Sequence, residues 1–488
     1  MESKNTQVSS RNRWGVACLK DISLKIGSGS TPRGGESSYI PERKNFAFIR
    51  SQNVYDFKFD VNGLKFISDE DANKLRGVHL QKDDVLLNIT GDGVTFSRCC
   101  LVPEEILPAA VNQHVAIIRL DTTKCLPGYL MAYLCLPETK IYIESFNAGG
   151  SRRAITKGHI ESFEIPLPPI FIQEHISRIT LNFLAKQNIN AKLNKTLEQM
   201  AQTLFKSWFV DFDPVVDNAL DADFFEQGLD LPDELLRRAE ARKAVRAQAG
   251  FKPLPAATRQ LFPAVFEPCD EPSLGLGGWV PKGWKVKELG EISSELRRGI
   301  SPKYVDNGGV LVINQKCIRN HEISYEFSRR HDRENKKIDG REICLGDVLV
   351  NSTGVGTLGR IAQVTHLPEP AVVDSHVTVV RVKDTECPLY TFGQLMLSME
   401  TKIEQLGEGS TGQTELSRKV LSEQLVVLPP YALTLNIDAS FKSFSEKQAL
   451  NRRENFALAR LRDTLLPKLI SGELSLDDVE LTTQQGAA

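Results

Sequence analysis

The sequence lacks the features of a membrane-spanning or secreted protein. It contains no run of about 18 apolar residues, the length that a membrane-spanning helix needs, and residues 1–13 are polar, without the hydrophobic core of a signal peptide. The nine cysteines include no C-x-x-C pair. An odd, scattered set is typical of reduced thiols rather than of a disulfide framework or a zinc site. The sequence therefore predicts a soluble, cytoplasmic protein that has no membrane partner.

Motifs of several enzyme classes are also missing. There is no P-loop, no Asn/Asp-Pro-Pro-aromatic motif for amino methylation and no clear cluster of acids and lysine for a metal-dependent nuclease. Residues 354–359 match G-x-G-x-x-G after a predicted strand, but a dinucleotide site requires a helix next, and residues 360–373 are predicted to be extended. The sequence therefore predicts no catalytic residue, no metal site and no cofactor on this chain.

Charge is nearly balanced over the whole chain but not along it. The formal net charge is -2, which argues against a protein that coats nucleic acid indiscriminately and leaves local basic faces open. Residues 211–234 carry many acids and no lysine or arginine, whereas residues 237–252 are basic. Such blocks predict solvated linker or helix faces rather than binding sites.

Two long helices are predicted, each entered through a Leu-Pro-Pro sequence. In residues 172–209 the apolar positions follow a 4-3-4 spacing that fits a heptad repeat, interrupted at Lys186 and Asn190. These apolar positions are Ile172, Ile176, Ile179, Phe183, Leu193, Leu197, Met200 and Leu204. At 1.5 Å per residue the helix would be about 57 Å long, roughly the length of 17 base pairs.

The second helix repeats the first after a shift of 261 residues. Five positions are then identical: Ile176 and Ile437, Phe183 and Phe444, Asn190 and Asn451, Leu197 and Leu458, Leu204 and Leu465. Two unrelated amphipathic helices would not give this agreement. Asn190 and Asn451 lie near the midpoints, and a buried seam asparagine fixes register when it is paired. We therefore expect an antiparallel two-helix spine in which Asn190 and Asn451 lie close together.

The globular parts of the chain are duplicated as well. Residues 84–93 align with 347–356, residues 114–119 with 376–381, and residues 139–141 with 401–403. The aligned segments include predicted strands at 85–88 and 115–120 and at 348–351 and 377–382; further strands are expected at 46–50 and 310–314. His114 and His376 recur at strand starts, which favours hydrogen-bonded structural histidines over catalytic ones. The chain is a tandem duplication.

The order of these features resembles that of the specificity subunits of type I restriction-modification systems. The resemblance rests on the duplicated plan of domain and helix, the Gly29-Ser30-Thr31-Pro32 opening, Gln173-Glu174 after the Leu-Pro-Pro entry, the Trp-Val-Pro-Lys-Gly-Trp restart at 279–284 and the terminal segment 465–474. It spans nearly the whole chain. The second half departs from the pattern, because it opens with Gly299-Ile300-Ser301-Pro302 and has no Gln-Glu pair after Pro430.

The resemblance implies an α+β fold in which two α/β target recognition domains, in tandem repeat, are joined by two long antiparallel coiled-coil helices with pseudo-two-fold symmetry. In this sequence the parts would be target recognition domain 1 at 1–170, the central spacer helix at 171–209, a linker at 210–278, target recognition domain 2 at 279–431, the distal spacer helix at 432–472 and a tail at 473–488.

The resemblance also implies a function and partners. The chain would bind a bipartite target in double-stranded DNA and direct two methyltransferase subunits, which hold S-adenosylmethionine and methylate adenine at N6. Restriction subunits that use ATP and Mg would translocate and cut the DNA. This chain would be non-catalytic. The alternatives are a self-contained nuclease or methyltransferase, and a scaffold that does not bind DNA.

DNA contacts need donors and acceptors on loops: Arg or Lys for guanine, Asn or Gln for adenine, and small hydroxyls for phosphates. The candidates in the first half are Ser30, Thr31, Arg33, Arg50, Gln52, Asn53, Asn88, Thr90, Gly150, Ser151, Arg152 and Arg153. Those in the second half are Arg297, Arg298, Ser301, Lys303, Asn314, Gln315, Lys316, Asn351, Thr353, Ser410, Thr411 and Gln413. Each is also compatible with a turn or a solvated position.

The aromatic end of the first long helix, with Phe205, Trp208 and Phe209, is a candidate docking patch for a methyltransferase subunit. Packing against the adjacent domain is the alternative.

Overall fold

The computed structural model describes residues 14–147, 153–407 and 415–474. The chain forms two compact units, the first made of residues 1–190 and 453–488 and the second of residues 191–452. The division crosses both long helices near their midpoints instead of following the domain ends expected from the sequence, because each half-helix packs into the core of its own unit. Within the described ranges, no helix is long and apolar enough to cross a membrane.

The first unit contains a four-stranded antiparallel sheet and a three-stranded sheet. The four strands run in the order Ser23–Ser28, Val115–Leu120, Val85–Asn88 and Cys99–Leu101. The three strands run in the order Ala109–Val111, Phe46–Ile49 and Lys65–Ile67, with the first pair parallel. Strand Gly15–Cys18 pairs with Glu164–Leu167, and the main helices are Asp69–Lys74, Pro127–Leu134, Pro137–Ser145 and Lys157–Glu161.

The second unit repeats the main features of this topology, although its second sheet has four strands instead of three. Its four-stranded sheet has the order Ser293–Arg298, Val377–Val382, Val348–Asn351 and Ile361–Gln363. Its other main sheet places Val310–Ile313 beside Ala371–Val373 in parallel, and Lys285–Glu288 pairs with Leu425–Leu428. The main helices of this half are Leu389–Ser398, Glu400–Gln405 and Arg418–Ser422. The shared topology confirms the tandem duplication.

The strand predictions agree closely with the structure. The strands at 85–88, 115–120, 348–351 and 377–382 have the predicted bounds, and those at 46–49 and 310–313 end one residue early. These segments are short, β-branched and almost fully buried, which suits a central strand covered on both faces. The G-x-G-x-x-G pattern is followed by strand Ile361–Gln363, so the extended conformation predicted there is confirmed.

The two long helices, here called the first and second spine helices, span Ile170–Phe205 and Tyr431–Ser471. Within the second unit, Asn194 contacts Asn451, and the ring centroids of Phe205 and Phe441 are 6.3 Å apart. Residue numbers that rise on one helix as they fall on the other define an antiparallel pair.

The middle of the spine is polar. In the first unit the amide of Asn190, 2 % exposed, donates to Glu454 Oε2 at 2.7 Å and to Asn455 Oδ1 at 2.9 Å. In the second unit Asn451, 1 % exposed, donates to Asn194 Oδ1 at 2.8 Å. Each buried amide therefore has an acceptor, but the heptad pattern had singled out neither Asn455 nor Asn194. A buried amide without a partner would be costly, so these hydrogen bonds fix the register of the helices.

The buried face of the first spine helix shifts by one position after Asn190. Leu193 and Met200, predicted to lie in the seam, are 37 % and 49 % exposed, whereas Asn194 and Ala201 are buried. The heptad prediction is therefore wrong for this half of the helix. A straight helix with 3.6 residues per turn drifts from a strict seven-residue repeat, which moves the contact face around the helix.

Residues 210–278, predicted to be a linker, form part of the core of the second unit. Helices Asp213–Asp221 and Asp233–Arg246 contribute Val215, Val216, Leu235 and Ala239 to a buried cluster. The acidic and basic blocks pair with each other between these two helices. The pairs are Asp213 with Arg238, Asp217 with Arg242 at 2.7 Å and Asp221 with Arg246 at 2.5 Å. The linker prediction failed because it judged each block by itself.

The aromatic end of the first spine helix belongs to the same cluster. Phe205 and Phe209 are 3 % and 6 % exposed, and Trp208 packs edge-on against Phe262 with ring centroids 5.4 Å apart. Phe209 also packs against Trp284. Because these rings are occupied within the chain, the structure favours the packing alternative over the docking patch.

Candidate nucleic-acid interface

In each half, the candidate surface is built around a histidine that begins a buried strand. His114 precedes strand Val115–Leu120, and its backbone N–H donates to Asn112 Oδ1 at 3.1 Å. Its Nδ1 lies 2.5 Å from the hydroxyl of Thr90, which follows the adjacent strand. Because these two strands pair in register, with Val115 opposite Asn88, the two loop residues meet at one edge of the sheet.

The second half repeats this arrangement. The backbone N–H of His376 donates to Asp374 Oδ1 at 3.0 Å, and its Nδ1 lies 2.8 Å from the Thr353 hydroxyl. Burial raises the pKa of Asp374 above its usual value. The sequence predicted structural histidines here. The repeated His-Thr pair could have been found by noting that a threonine precedes the histidine by 24 residues in the first half and by 23 in the second.

The segments Gly29-Ser30-Thr31-Pro32 and Gly299-Ile300-Ser301-Pro302 lie against the turns that precede His114 and His376. The Gly29 N–H donates to the Val115 carbonyl at 2.9 Å, and a Cβ on Gly29 would lie 2.2 Å from the Asn112 carbonyl oxygen. A Cβ on Gly299 would lie 2.1 Å from the Asp374 carbonyl oxygen. No side chain fits at these distances, so glycine is required for the opening to reach the turn. The close approach brings Ser30 and Thr31, and Ser301 in the second half, to the same edge.

Several other candidates converge on this edge. The Thr31 hydroxyl hydrogen-bonds Gln113, the neighbour of His114. Arg153 pairs with Gly91 in a short two-stranded sheet and its guanidinium lies 2.7 Å from Glu144. Gly150, Ser151, Arg152, Ser410, Thr411 and Gln413 lie outside the described residues.

Four of the asparagines predicted to contact DNA have side chains that are buried and hydrogen-bond within the fold. The amide of Asn88 donates to the Ser51 and Thr95 carbonyls, and that of Asn351 donates to the Gln315 carbonyl at 3.0 Å. In Asn53 and Asn314 the side-chain N–H groups donate to, and the side-chain oxygen accepts from, backbone groups of neighbouring loops. These four residues are 0 to 9 % exposed, so no base edge could reach them.

Three of the predicted arginine contacts are also engaged internally. Arg50 donates to the Gly63 carbonyl at 2.9 Å, and Arg297 donates to Glu295 at 2.6 Å. Arg298 donates to Glu415 at 2.9 Å and to the Ser375 carbonyl at 3.2 Å, which fastens the turn before His376. Their guanidinium groups position loops rather than face solvent. The exposed or half-buried candidates that remain are Ser30, Thr31, Arg33, Gln52, Thr90, Arg153, Ser301, Lys303, Gln315, Lys316 and Thr353.

No group of three potential metal ligands occurs within residues 14–147, 153–407 and 415–474. Burial raises the pKa of the Cys125 and Cys387 thiols to about 12, which keeps both protonated near neutral pH. The candidate surface offers hydroxyl, imidazole, guanidinium and backbone N–H groups, which form hydrogen bonds. That set suits contacts to nucleic acid.

Comparison with known proteins gives the family. The sequence profile of the Type I restriction modification DNA specificity domain matches residues 12–199 and 281–456, one match in each half. The chain belongs to this family of specificity subunits. It is 24 % identical to the type I restriction enzyme HindI specificity subunit of Haemophilus influenzae, over 94 % of this chain and 99 % of the relative.

A second relative is the type I restriction enzyme MjaIX specificity subunit of Methanocaldococcus jannaschii, 22 % identical over 96 % of this chain and 94 % of the relative. Among solved structures, the S subunit of a type I restriction-modification system from M. genitalium covers 95 % of this chain and 97 % of its own, at 13 % identity and a TM-score of 0.48.

Proposed function

We propose that this specificity subunit binds a bipartite site in double-stranded DNA and directs N6-adenine methylation and ATP-dependent restriction by partner subunits. The observation that supports this most directly is the duplicated edge, with a His-Thr pair beside a glycine opening in each half. Two equivalent surfaces on one chain suit a target made of two separate blocks. The family match in both halves agrees with this assignment.

The proposed partners are two methyltransferase subunits and the restriction subunits. The proposed division of chemistry leaves S-adenosylmethionine, ATP and Mg on those partners, and this chain non-catalytic and cytoplasmic. The donors at the candidate surface support a binding role, since hydroxyl and backbone N–H groups are common phosphate contacts.

The decisive test is to co-express the chain with its methyltransferase subunit in a methylation-free host and to locate N6-methyladenine by single-molecule sequencing. Two short specific blocks around a fixed unspecified gap are expected. A stable complex that methylates nothing would contradict the proposal and favour the scaffold. Methyl transfer or cleavage by this chain alone, abolished by a point mutation, would favour the self-contained enzyme.

The two halves can be assigned to the two blocks by exchanging residues 279–427 for the equivalent segment of a relative. Only one block of the methylated motif should then change. A motif altered in both blocks, or in neither, would contradict one surface per block.

The spine predicts the gap between the blocks. Inserting one heptad in each spine helix adds about 10.5 Å of helix, which should lengthen the gap by roughly three base pairs. An unchanged gap in the methylated motif would show that the helices do not set the spacing.

A further inference from the structure

The loops that follow the two His-paired threonines differ in charge. In the first half the Asp92 carboxylate accepts hydrogen bonds from the N–H groups of Val94 at 3.2 Å and Thr95 at 2.9 Å, and from the Thr95 hydroxyl at 2.7 Å. The bond from the Thr95 hydroxyl, followed by that from its N–H, holds the pKa of Asp92 below its usual value. The first loop therefore carries a negative charge, and its carboxylate occupies the N–H groups of Val94 and Thr95.

The second loop has no such carboxylate. Val355 stands where the first half has Asp92, and it is 79 % exposed. The loop closes instead on the Gly354 carbonyl, which accepts from the N–H groups of Thr357 at 3.2 Å and Leu358 at 3.0 Å. Gly354 and Gly356 have φ values of 105° and 69°. Among the residues that the structure describes, none accepts from the N–H groups of Val355 and Gly356.

Two side chains add donors to this loop. The Arg360 guanidinium donates to the Gly356 carbonyl at 2.7 Å in an exposed position, which holds a positive charge on the loop. In the tautomer in which the His376 Nδ1 accepts from the Thr353 hydroxyl, Nε2 carries the proton and can donate to another partner. The carboxylate of Glu415 is close by, because its backbone pairs with Thr353, but it is neutralised by Arg298 at 2.9 Å.

We infer that residues 353–360 together with His376 form a phosphate-binding notch for the DNA backbone, and that the first half has no equivalent notch. Backbone N–H groups beside residues in the left-handed region form concavities that bind anions. The cation on the loop and the single remaining imidazole nitrogen suit a phosphodiester oxygen rather than a base edge, which presents both donors and acceptors. This inference rests on the proposed DNA-binding function.

Placing the missing carboxylate in the loop tests the notch. In the full chain assembled with its methyltransferase subunit, Val355→Asp should weaken binding by about tenfold, because it places a carboxylate on the loop that repels phosphate. The loss should be equal for a duplex carrying the methylated motif and for a scrambled duplex of the same length, since phosphate contacts carry no sequence information. The matched control is Val94→Asp in the first loop, which already carries the Asp92 carboxylate, and less than about a threefold loss is expected.

Two histidine substitutions separate DNA contact from support of the fold. His376→Asn keeps a group near Nδ1 for Thr353 but removes the outer donor, whereas His376→Gln keeps a donor near Nε2. The inference expects a loss of about three- to tenfold in affinity for Asn and a smaller loss for Gln. The opposite order would assign His376 to holding Thr353. Arg360→Gln should lower the slope of log affinity against log salt by about 1.

The outcomes are distinct. Wild-type affinity and salt slope in Val355→Asp, His376→Asn and Arg360→Gln would overturn the notch while the methylated motif still supported the proposed function. Failure of the wild-type complex to prefer its motif would overturn both. ATP binding to the complex without DNA, lost in Val355→Asp, would assign the notch to a free nucleotide and overturn the DNA assignment.

Discussion

Two β-hairpins occupy corresponding positions in the duplicated halves, at residues 54–59 and 318–323, and they are fastened to the spine by different chemistry. Each has a two-residue turn whose second residue lies in the left-handed region, with φ of 62° at Phe57 and 59° at His321. In the first unit the Arg462 guanidinium lies 4.1 Å from the centroid of the Phe57 ring. The attachment to the spine is thus a cation-π contact, while Asp56 of the same turn pairs with Lys140 at 2.6 Å.

The second hairpin is held by ion pairs. In the second unit His321 lies between Glu198 of the first spine helix and Glu400, with Nε2 2.5 Å from Glu400, and Glu322 lies 2.9 Å from Arg452 of the second spine helix. The hydrogen bonds that His321 donates to Glu198 and Glu400 raise its pKa to about 10. Both turns keep a second residue in the left-handed region while its side chain has changed, and the histidine loses its charge only as the pH rises toward 10.

The largest effect on stability is expected from replacing His321, in the turn of the second hairpin, with phenylalanine, the residue at the same position of the first hairpin. His321→Phe leaves two carboxylates facing each other without a cation, and it should lower the free energy of unfolding of the second unit by about 2 to 3 kcal/mol. Hydrogen-exchange mass spectrometry on the full chain should show faster exchange in residues 318–323.

The reciprocal exchange is the control for that substitution. Phe57→His loses the ring beneath Arg462 but creates no unpaired carboxylate, so a loss of less than about 1 kcal/mol is expected in the first unit. Equal losses in the two units would show that the hairpins differ in sequence only and not in how they are held.

The contacts of His321 with Glu198 and Glu400 predict that the stability of the second unit depends on pH. The pKa of His321 is raised in the folded chain, so its stabilisation is complete below about pH 6.5 and is lost as the pH rises through 10. The stability difference between the wild type and His321→Phe should therefore shrink between about pH 7 and about pH 10. A constant difference over that range in urea unfolding would mean that the histidine is not held as a cation.

The sequence could predict the duplication, the strands and the spine helices, because these depend on local periodicity and on repeats at a fixed offset. It could not predict the pairing of Asp217 with Arg242, since two charge blocks 25 residues apart look solvated until their helices are placed side by side. The sequence could also not predict that the side chains of Asn53 and Asn88 are buried, for a related reason. The sequence alone does not distinguish an asparagine that hydrogen-bonds within a buried loop from one that contacts a base.

A smaller effect is expected at the ion pair between Glu322 and Arg452, beside the contacts of His321. Arg452→Ala removes the partner of Glu322, and both side chains are partly exposed, at 33 % and 43 %. A loss of about 0.5 to 1 kcal/mol is expected. Raising the salt concentration should reduce the difference between the variant and the wild type, because an exposed pair is screened. A loss that does not change with salt would point to packing by the arginine stem instead.

An effect of similar size is expected at Arg462 in the first unit. Its guanidinium lies over the Phe57 ring and 2.8 Å from Asp463 of its own helix, and a cation-π contact contributes about 0.5 to 1 kcal/mol even at exposed sites. Arg462→Lys should keep part of it and Arg462→Ala should lose it. Neither variant should change the pH dependence between about pH 7 and about pH 10. Because the ring cannot titrate, a pH-dependent loss in Arg462→Ala would show that the first attachment also depends on an ionisable partner, and the contrast between the two hairpins would disappear.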